Sequence, residues 1–505
     1  MKKIFFFISI ILIIYFITVI YNNADWDLWA RFAVGAIFFN AGAILKHDIF
    51  AYTPTKNIWI DHEWGSGVIF YFVSHYFGDI GLLALKFFIL LFIFILVFKI
   101  NQLRSVSNNE NPYRIVYYLL FFYGILSAFD NTIRSQSFTY LLFALWLYLL
   151  DLVKLGNNRL IWIFPITMII WANMHGGFLA GLGIVCLFGI GEALNKRSFL
   201  KYFGILAISI PATLINPYGI TYWSFIIDAV TMHRPFVSEW DPLNLFGPIK
   251  IALGFKIFLI LTILSFIYMF IKHFKKINWA EILILGITFY FSLKHVRHII
   301  FFILASGSYI YYYLYPVIDG IYSVFPINLR TMSKKLGEFT IYGSILFFGL
   351  LIIFFVPLKI DVNKKMFPTN AVRFIQQNNL SGNLLVLFNW GSYALWKLYP
   401  QCLITIDGRY EEIYPKYVVD EVARFHYTGV NWDDLLKKYH TDMILIPLTY
   451  DNLYEKLLWK KEWKLVYKDD LAAIFIPKSK NKPNWVKPDS NFDANKEKYK
   501  SNLNF

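Results

Sequence analysis

Charged residues are scarce in this chain. Only 16% of its 505 residues are Asp, Glu, Lys or Arg, whereas a soluble protein carries about a quarter. In their place the chain is 57% hydrophobic and 20% aromatic, with a mean hydropathy of +0.50. These proportions exclude an ordinary soluble protein and indicate an integral membrane protein.

Cysteine is almost absent as well. The two cysteines are Cys186, in an apolar run, and Cys402, in a predicted strand. Neither a disulfide framework nor a zinc site is therefore predicted. The sequence also shows no internal repeat, so a solenoid or other repeat architecture is not expected.

The chain is basic, with a formal net charge of +15. Its lysines cluster between apolar runs and in a C-terminal tail rather than on one continuous face. This distribution is typical of the positive-inside bias of membrane proteins. The expected partners therefore include membrane lipids and no nucleic acid.

Apolar stretches predict about 11 membrane spans, since a spanning helix needs roughly twenty apolar residues. The predicted spans are 4–21, 80–100, 114–129, 137–153, 159–173, 177–193, 200–215, 251–271, 279–293, 299–315 and 340–357. The stretch 66–77 is too short to cross and predicts a helix lying in the interface. The basic connections then all fall on one side, which is the cytoplasmic side and carries the N-terminus.

The composition changes after Leu358. Strand-like and helix-like segments alternate from there on, which predicts a small open α/β sheet. The predicted fold class is thus an α-helical polytopic protein of the inner (cytoplasmic) membrane with a C-terminal soluble α/β domain outside the cytoplasm. The predicted parts are a first transmembrane helix at 1–21, an outer catalytic loop at 22–79, a helical bundle at 80–358, the α/β domain at 361–478 and a disordered basic tail at 479–505.

Acidic residues collect in the outer loop that follows the first span. Asp25 and Asp27 come directly after that span, and either one is a candidate general base. Asp61, His62 and Glu63 stand at the start of the predicted interfacial helix and offer oxygen and nitrogen ligands. A divalent cation, Mg or Mn, is predicted on Asp25, Asp27 and Glu63. The alternative is that these residues cap helix N-termini.

Cationic and hydrogen-bonding side chains occur in the other outer connections. Arg134, His175, Arg297 and His298 lie there at membrane depth, where polar groups are costly and mark substrate paths. Arginine binds phosphate bidentately, so these residues predict a binding site for a lipid phosphate. For Arg297 the alternative is a snorkelling or carboxylate-paired side chain.

Four further residues are candidates because of their position. Glu239 lies in the long connection 216–241. Trp390, in Asn389-Trp390-Gly391, follows the first predicted strand of the α/β domain, and Asp407 and Arg409 follow the second. Ligands of open α/β sheets bind at the carboxyl ends of strands, although Asp-Gly is also an ordinary turn sequence.

Several of these motifs together resemble a known family. They are Asp25-Trp26-Asp27-Leu28-Trp29, Asp61-His62-Glu63-Trp64, Arg134-Ser135-Gln136, Trp171-Ala172-Asn173-Met174-His175-Gly176-Gly177, Asn216-Pro217-Tyr218-Gly219, Glu239-Trp240, Asn389-Trp390-Gly391 and Asp407-Gly408-Arg409. The topology and the Asp-x-Asp loop resemble the GT-C superfamily of glycosyltransferases, which use polyprenyl-phosphate sugars. The motifs as a set are most similar to a group of uncharacterised bacterial multi-spanning membrane proteins.

This resemblance implies that Asp25 or Asp27 is the catalytic carboxylate and that the outer loop carries two interfacial helices. It also implies an outer α/β domain with a Trp-Gly motif. The sequence lacks the full acceptor-recognition motif of the protein glycosyltransferases, so a glycan, a lipid or a protein is left open as the acceptor.

The expected function is an inverting glycosyltransferase that moves a sugar from a polyprenyl-phosphate donor to an extracytoplasmic acceptor. The alternatives are a transporter or flippase for a lipid-linked saccharide and a non-catalytic envelope assembly protein. A site open to one side of the membrane favours the enzyme, whereas a central site reachable from both sides favours transport.

Overall fold

The computed structural model describes residues 2–104, 114–128, 132–232, 234, 237–247, 252–273, 277–323 and 327–479. The chain forms two compact units. Met1–Asn22 and Asp79–Lys359 make up the first, called here the helical unit. Asn23–Gly78 and Ile360–Phe505 make up the second, called the composite unit because it combines an early and a late part of the chain.

Thirteen α-helices lie before residue 360 in the described part of the chain. In chain order they are α1 Lys2–Ile20, α2 Leu28–Ala41, α3 Trp64–Arg104, α4 Arg114–Ile125, α5 Gln136–Lys154, α6 Ile163–Met174, α7 Phe178–Leu194, α8 Leu200–Ala212, α9 Thr221–Thr231, α10 Leu253–His273, α11 Trp279–Lys294, α12 Ile299–Ser323 and α13 Ile327–Phe355. Every predicted span falls on one of them. Helix α2 lies in the outer loop, where the resemblance implied interfacial helices, and α9 lies in the connection 216–241, where a loop was predicted.

Length and apolar composition would let four helical segments of the described chain cross a membrane: Lys3–Ile20, Trp64–Arg104, Gln136–Lys154 and Leu253–Lys272. Shorter apolar helices of 10–17 residues accompany them. The predicted fold class is therefore confirmed in outline, while the number of about 11 spans stays a prediction.

Helix α3 is interrupted at Gly78, which has φ 58° and ψ −150°. A residue with a Cβ rarely adopts this conformation, so glycine allows the chain to turn there. The first half, from Trp64 to Phe77, corresponds to the predicted short helix 66–77, and the second half to the predicted span 80–100. Gly78 is also the boundary between the two compact units.

The helical unit is packed through small residues, as is usual for membrane helices. A Cβ on Gly307 in α12 would overlap the ring of Phe121 in α4. Gly254 in α10 approaches the backbone of Gly124 in α4 in the same way. Helix α12 also packs on α5, α10 and α11, and its residues 302–310 are all buried. It is therefore the central helix of this unit, as its apolar composition on all sides predicts.

The composite unit contains a five-stranded sheet with the strand order β2-β1-β3-β5-β4. The strands are β1 Gly382–Val386, β2 Cys402–Ile404, β3 Met443–Pro447, β4 Trp463–Lys468 and β5 Ala472–Pro477. The helices around it are α14 Thr369–Gln377, α15 Phe388–Leu398, α16 Tyr410–Ile413, α17 Lys416–His426, α18 Asp434–Lys438 and α19 Asp451–Trp459. Strands β1, β2 and β3 are parallel, and β5 and β4 add an antiparallel hairpin. The predicted α/β sheet and its closing hairpin are confirmed.

The outer loop joins this sheet at the free edge of β2. Ala51 forms a parallel bridge with Ile404, and the N–H of Tyr52 donates to the carbonyl of Ile404 at 3.0 Å. Helix α2 packs on α15, where the ring of Trp29 meets that of Tyr393 edge-on at 5.1 Å. Residues 23–78 are therefore part of the same folded body as the C-terminal sheet.

Asn389, Trp390 and Gly391 follow the first strand, as the sequence predicted, and all three lie in α15, which begins at Phe388. A Cβ on Gly391 would overlap the carbonyl oxygen of Ile406, so glycine lets the first turn of this helix lie directly against the chain after β2. The predicted tail 479–505 lies, beyond its first residue, outside the described residues.

Candidate functional site

Asp25 and Asp27 differ in their surroundings. Asp25 is buried, with 2% of its surface exposed, and its carboxylate accepts the N–H of Asp27 at 3.0 Å. Asp27 occupies the position before α2, but its side chain makes no capping hydrogen bond to the helix. Asp27 is only partly buried. The structure thus gives Asp25 a role in holding the backbone and leaves the carboxylate of Asp27 nearer to solvent.

One turn after Asp27, helix α2 carries a buried arginine that connects the two parts of the composite unit. Nη1 of Arg31 lies 2.5 Å from Asp61 Oδ1, Nε lies 3.6 Å from Glu63 Oε2 and Nη2 lies 3.5 Å from Glu412 Oε2. Nδ1 of His62 lies 3.0 Å from the other oxygen of Glu412. We call these five residues the Arg31 network. It contains all three candidates from the motif at the start of α3.

Charges within the Arg31 network shift the protonation of its members. Burial alone would lower the pKa of His62, but the charge of Glu412 outweighs it and raises this pKa to about 9. Burial would conversely raise the pKa of Glu412, and the charges of Arg31 and His62 lower it to about 2. Burial also raises the pKa of Asp61, against the charge of Arg31, so three carboxyl groups and two cationic side chains share this buried network.

A second buried ion cluster involves the turn after β2. The guanidinium of Arg409 binds Asp407 through Nε at 3.0 Å and Nη2 at 2.6 Å, and Nη1 binds Asp48 at 2.7 Å. It also stacks on the rings of Phe50 and Trp59, at 4.9 and 4.8 Å from their centroids. Asp407 and Arg409 thus bind each other and the outer loop, which gives them a clear structural role.

The glycine between those two residues brings this turn to the candidate base. A Cβ on Gly408 would lie only 2.5 Å from Oδ1 of Asp27, so glycine is what permits this approach. The N–H of Gly408 donates to Oγ of Ser392 at 3.2 Å. The first acidic motif of the sequence and the Asp-Gly-Arg motif, about 380 residues later, therefore meet in one unit.

The contacts of Trp390 give it a structural role. Its ring is buried, and its Nε1–H donates to the carbonyl of Met366 at 2.8 Å. This bond connects α15 to the segment that precedes α14. In the composite unit, then, Trp390 supports the helix on which α2 packs.

A divalent cation has partial support in the composite unit. Nε2 of His62 and Oε1 of Glu63 lie 3.6 Å apart, and a divalent cation would bind this nitrogen only after displacing the proton that His62 carries in the Arg31 network. The set Asp25, Asp27 and Glu63 stays a prediction.

In the helical unit, three arginines gather around Glu239 and Trp240. Arg134 forms an ion pair with Glu239. The guanidinium groups of Arg234 and Arg297 both stack on the ring of Trp240, at 4.2 and 4.6 Å from its centroid. We call this group the arginine cluster. Three cations and one carboxylate thus lie close together, and Arg234 also donates to the carbonyls of Ala229 at 2.6 Å and Met232 at 3.3 Å.

The pKa values in this cluster reflect that imbalance. Burial and the neighbouring charges of Arg134 and Arg234 lower the pKa of Arg297, while Glu239 opposes them. Burial would raise the pKa of Glu239, but the charge and hydrogen bond of Arg134, with the charge of Arg297, lower it below its ordinary value. The arginines therefore repel one another, and a bound anion would relieve that repulsion.

The two candidate histidines of the helical unit are neutral hydrogen-bonding groups. Burial and the charge of Arg297 lower the pKa of His298 to about 3. Nδ1 of His175 accepts the N–H of Gly177 at 2.8 Å and lies 3.0 Å from Oγ1 of Thr139. Because a backbone N–H can only donate, the proton of neutral His175 is on Nε2. Nε2 is thus a donor suited to a phosphate oxygen.

Sequence reasoning missed four residues of these groups. Arg31 could have been found, since it is a lone cation in an apolar run one turn after Asp27. Arg234 and Trp240 lie within the connection that was already a candidate through Glu239. Glu412 gave no signal, because an acidic pair in a surface-like helix is ordinary and only the fold brings it to Arg31.

Comparisons with known proteins show which solved structures share this fold. No protein-family model matches the sequence, and no curated protein matches it. Among solved structures, the Archaeoglobus fulgidus oligosaccharyltransferase, captured with a tethered acceptor peptide containing the NVT sequon, superposes with a TM-score of 0.58 at 11% identity. The match covers 90% of this chain and 70% of that one.

A second solved structure is the arabinofuranosyltransferase AftD from Mycobacteria, with a TM-score of 0.54 at 13% identity. The match covers 94% of this chain but only 40% of AftD, so the present chain corresponds to less than half of that protein. Identities this low establish the fold alone.

The fold and the apolar helices together define a polytopic membrane protein with a composite α/β unit. Its fold is shared with both of these solved glycosyltransferases, which is the fold that the resemblance to the GT-C superfamily implied.

Proposed function

We propose that this protein is a membrane glycosyltransferase that moves a sugar from a polyprenyl-phosphate donor to an acceptor hydroxyl on the extracytoplasmic face. The observation that carries the proposal is the arginine cluster. A chain with the GT-C fold that gathers three arginines about one carboxylate, at the ends of apolar helices, has a site suited to a lipid-borne phosphate.

The donor phosphate binds, in this proposal, to Arg134 and Arg297, with Nε2–H of His175 as a neutral donor. Arg234 adds a third charge through its position on Trp240. A phosphate would displace the carboxylate of Glu239 from Arg134. Because the leaving lipid phosphate gains a negative charge during transfer, these cations stabilise the transition state more than the bound donor.

The general base is Asp27 in this proposal. Asp25 is buried and accepts a backbone N–H, so its carboxylate is already engaged in holding the turn. Asp27 is partly exposed and makes no capping bond. It lies one turn before Arg31, whose positive charge favours the ionised carboxylate that a base requires.

The reaction is a single displacement. Asp27 takes the proton of the acceptor hydroxyl, and the oxygen forms a bond to the anomeric carbon. The bond from that carbon to the phosphate oxygen breaks, and polyprenyl phosphate leaves. The configuration at the anomeric carbon is therefore inverted. A divalent cation on Asp25, Asp27 and Glu63 would supply further charge neutralisation for the leaving phosphate.

The test is sugar transfer by the purified chain in detergent, with a synthetic polyprenyl-phosphate sugar as the donor. Asp27→Asn removes the base and should lower turnover by about 10²–10⁴-fold. Asp451→Asn is the matched control, since Asp451 is an exposed acid at the start of α19, and it should leave turnover unchanged. Full turnover by Asp27→Asn would remove Asp27 as the base.

A second variant separates binding from chemistry. Arg297→Gln should raise the KM for the donor and also lower turnover, because this side chain binds a phosphate whose charge grows during transfer. Mass spectrometry of lipid that co-purifies with the wild-type chain identifies the donor directly. Movement of a lipid-linked saccharide across vesicles without any sugar transfer would support the transporter alternative and overturn the enzyme.

A further inference from the structure

A cavity of about 280 Å³ lies in the helical unit, away from the arginine cluster. Its charged lining consists of Arg104, Asp151, Lys154, Arg197 and Glu281. These residues come from the ends of three helices and from the turn after a fourth, because Arg104 ends α3, Lys154 ends α5, Glu281 is in the first turn of α11 and Arg197 follows α7. The proposed reaction uses none of them.

The cavity and the arginine cluster lie at opposite ends of the same helices. Arg134 precedes the first turn of α5, whereas Lys154 is its last residue. Glu281 is in the first turn of α11, whereas Arg297 follows its end. A helix of 19 residues is about 28 Å long at 1.5 Å per residue. The cavity is thus a separate site on the other side of the helical unit.

One wall of the cavity is a closed ion network. Arg104 binds Asp151 through Nη2 at 2.7 Å and Glu281 through Nη1 at 2.5 Å, and it stacks on the ring of Tyr309 at 4.4 Å. The hydroxyl of Tyr313 donates to Glu281 at 2.6 Å. All three planar nitrogens of Arg104 contact carboxylates, so this wall is rigid and has no cation to offer a ligand.

The two other cations of the lining share one carboxylate. Nζ of Lys154 lies 3.4 Å and Nη1 of Arg197 lies 3.6 Å from the same oxygen of Glu192. That oxygen also accepts the amide of Asn195 at 3.1 Å. Both cation distances exceed a normal N–H···O bond. Lys154 and Arg197 are therefore loosely held, while the three cations around the cavity are matched in charge by Asp151, Glu281 and Glu192.

The cavity also adjoins apolar surface. Leu155, one of its lining residues, exposes 66% of its side-chain area, and Trp162 beyond it exposes 67%. An apolar rim next to two cations fits a headgroup whose acyl chains lie along the helices. Basic pockets between membrane helices bind the phosphates of anionic lipids in this way.

We propose that this cavity binds the phosphate of an anionic phospholipid headgroup through Lys154 and Arg197. The phosphate accepts hydrogen bonds from both cations. These cations then no longer contact Glu192, which keeps its hydrogen bond from Asn195. The acyl chains pack beside Leu155. The site is independent of sugar transfer, and its occupancy connects the ends of α5 and α7. Binding to the folded state alone stabilises the chain in proportion to lipid concentration.

The experiment uses the full chain in neutral detergent and follows thermal unfolding and native mass spectra during titration with short-chain phosphatidylglycerol. Phosphatidylcholine and inorganic phosphate are the two comparison ligands. We expect bound phosphatidylglycerol and a raised midpoint, with little effect of either comparison ligand at equal concentration. Equal stabilisation by phosphatidylcholine, or by inorganic phosphate, would overturn the assignment to an anionic lipid.

Two variants and a control locate the effect. Arg197→Gln changes a side chain that is 55% exposed, so it should fold normally and bind phosphatidylglycerol about ten-fold more weakly. Lys154→Gln should act in the same direction. Arg159→Gln removes an exposed charge only five residues after Lys154 and should bind like wild type. An equal loss in Arg159→Gln would show general attraction to the surface and refute the site.

Discussion

His62 allows a quantitative test of the Arg31 network. Its Nδ1 lies 3.0 Å from Glu412, and the charge of that partner raises its pKa, against the effect of burial, from 6.5 to about 9. Replacement by glutamine keeps a polar side chain of similar size but removes the titrating cation. The change should therefore alter how the stability of the composite unit depends on pH.

The direction in which stability changes with pH follows from the raised pKa of His62. A histidine with a higher pKa in the folded state stabilises the fold fully below its unfolded value of 6.5, and this contribution is lost as the pH rises to about 9. At about 1.36 kcal/mol per pKa unit, the loss is about 3 kcal/mol. Glu412, with a lowered pKa of about 2, contributes its full stabilisation above its unfolded pKa of 4.5. It therefore does not change the pH dependence of stability between pH 6.5 and 9.

The assay is unfolding of the full chain at pH 5.5, 6.5, 8 and 9.5, followed by tryptophan fluorescence. Trp59 donates its Nε1–H to Glu412 at 3.1 Å, so it reports on the network directly. Wild type should lose stability between pH 6.5 and 9, and His62→Gln should not. His440→Gln is the control, because His440 is 81% exposed. A flat wild-type profile, or the same slope in His62→Gln, would refute the reasoning.

Three further predictions concern the composite unit and the cation. Arg409→Lys keeps the charge but loses the two-nitrogen contact with Asp407, and we expect a loss of about 2–3 kcal/mol in the free energy of unfolding; an unchanged unfolding midpoint would contradict this. Gly391→Ala places a methyl group against the carbonyl of Ile406 and should cost about 1–3 kcal/mol, whereas Gly286→Ala, at a helical position where a Cβ meets no atom, should not destabilise. Chelation of divalent cations should lower sugar transfer, and added Mn²⁺ should restore it; transfer that is insensitive to a chelator would exclude a required metal.

The sequence predicted the helices well because apolar length is a local property. Each apolar stretch had to bury its backbone polar groups within itself, and a helix is the local way to do so. The turn at Gly78 was likewise predictable from Gly78-Asp79 between two apolar runs. For α2 only the presence of interfacial helices in the outer loop was predicted and not the position, because its 14 residues are too few for a span.

The contacts between distant segments could not be predicted. Nothing in the sequence around Glu412 indicates that it reaches Arg31, or that Asp48 pairs with Arg409. Such pairs depend on tertiary structure, since a buried arginine selects whichever carboxylates the fold brings to it. Residues that are neighbours in the chain differ in this respect, because Asp61, His62 and Glu63 directly precede one helix and share one network.

The helical unit shows the same limit at its arginine cluster. Arg134 and Arg297 were candidates because cations are costly at membrane depth. Arg234 was not, although it stacks on the same tryptophan as Arg297. The pairing of the two arginines on Trp240 needed the structure, because a single aromatic ring in a loop does not indicate which cations it will attract.

The composite unit has a consequence for biosynthesis. Glu412 follows Arg31 by 381 residues, and a ribosome adds roughly 5–20 residues per second. Arg31 and Asp61 therefore leave the ribosome about 20 seconds to more than a minute before their last partner exists. A truncated chain that ends before Glu412 would still insert its helices but leave this charged pair incomplete. Proteases that survey the membrane could then distinguish finished chains from unfinished ones by the exposed first loop.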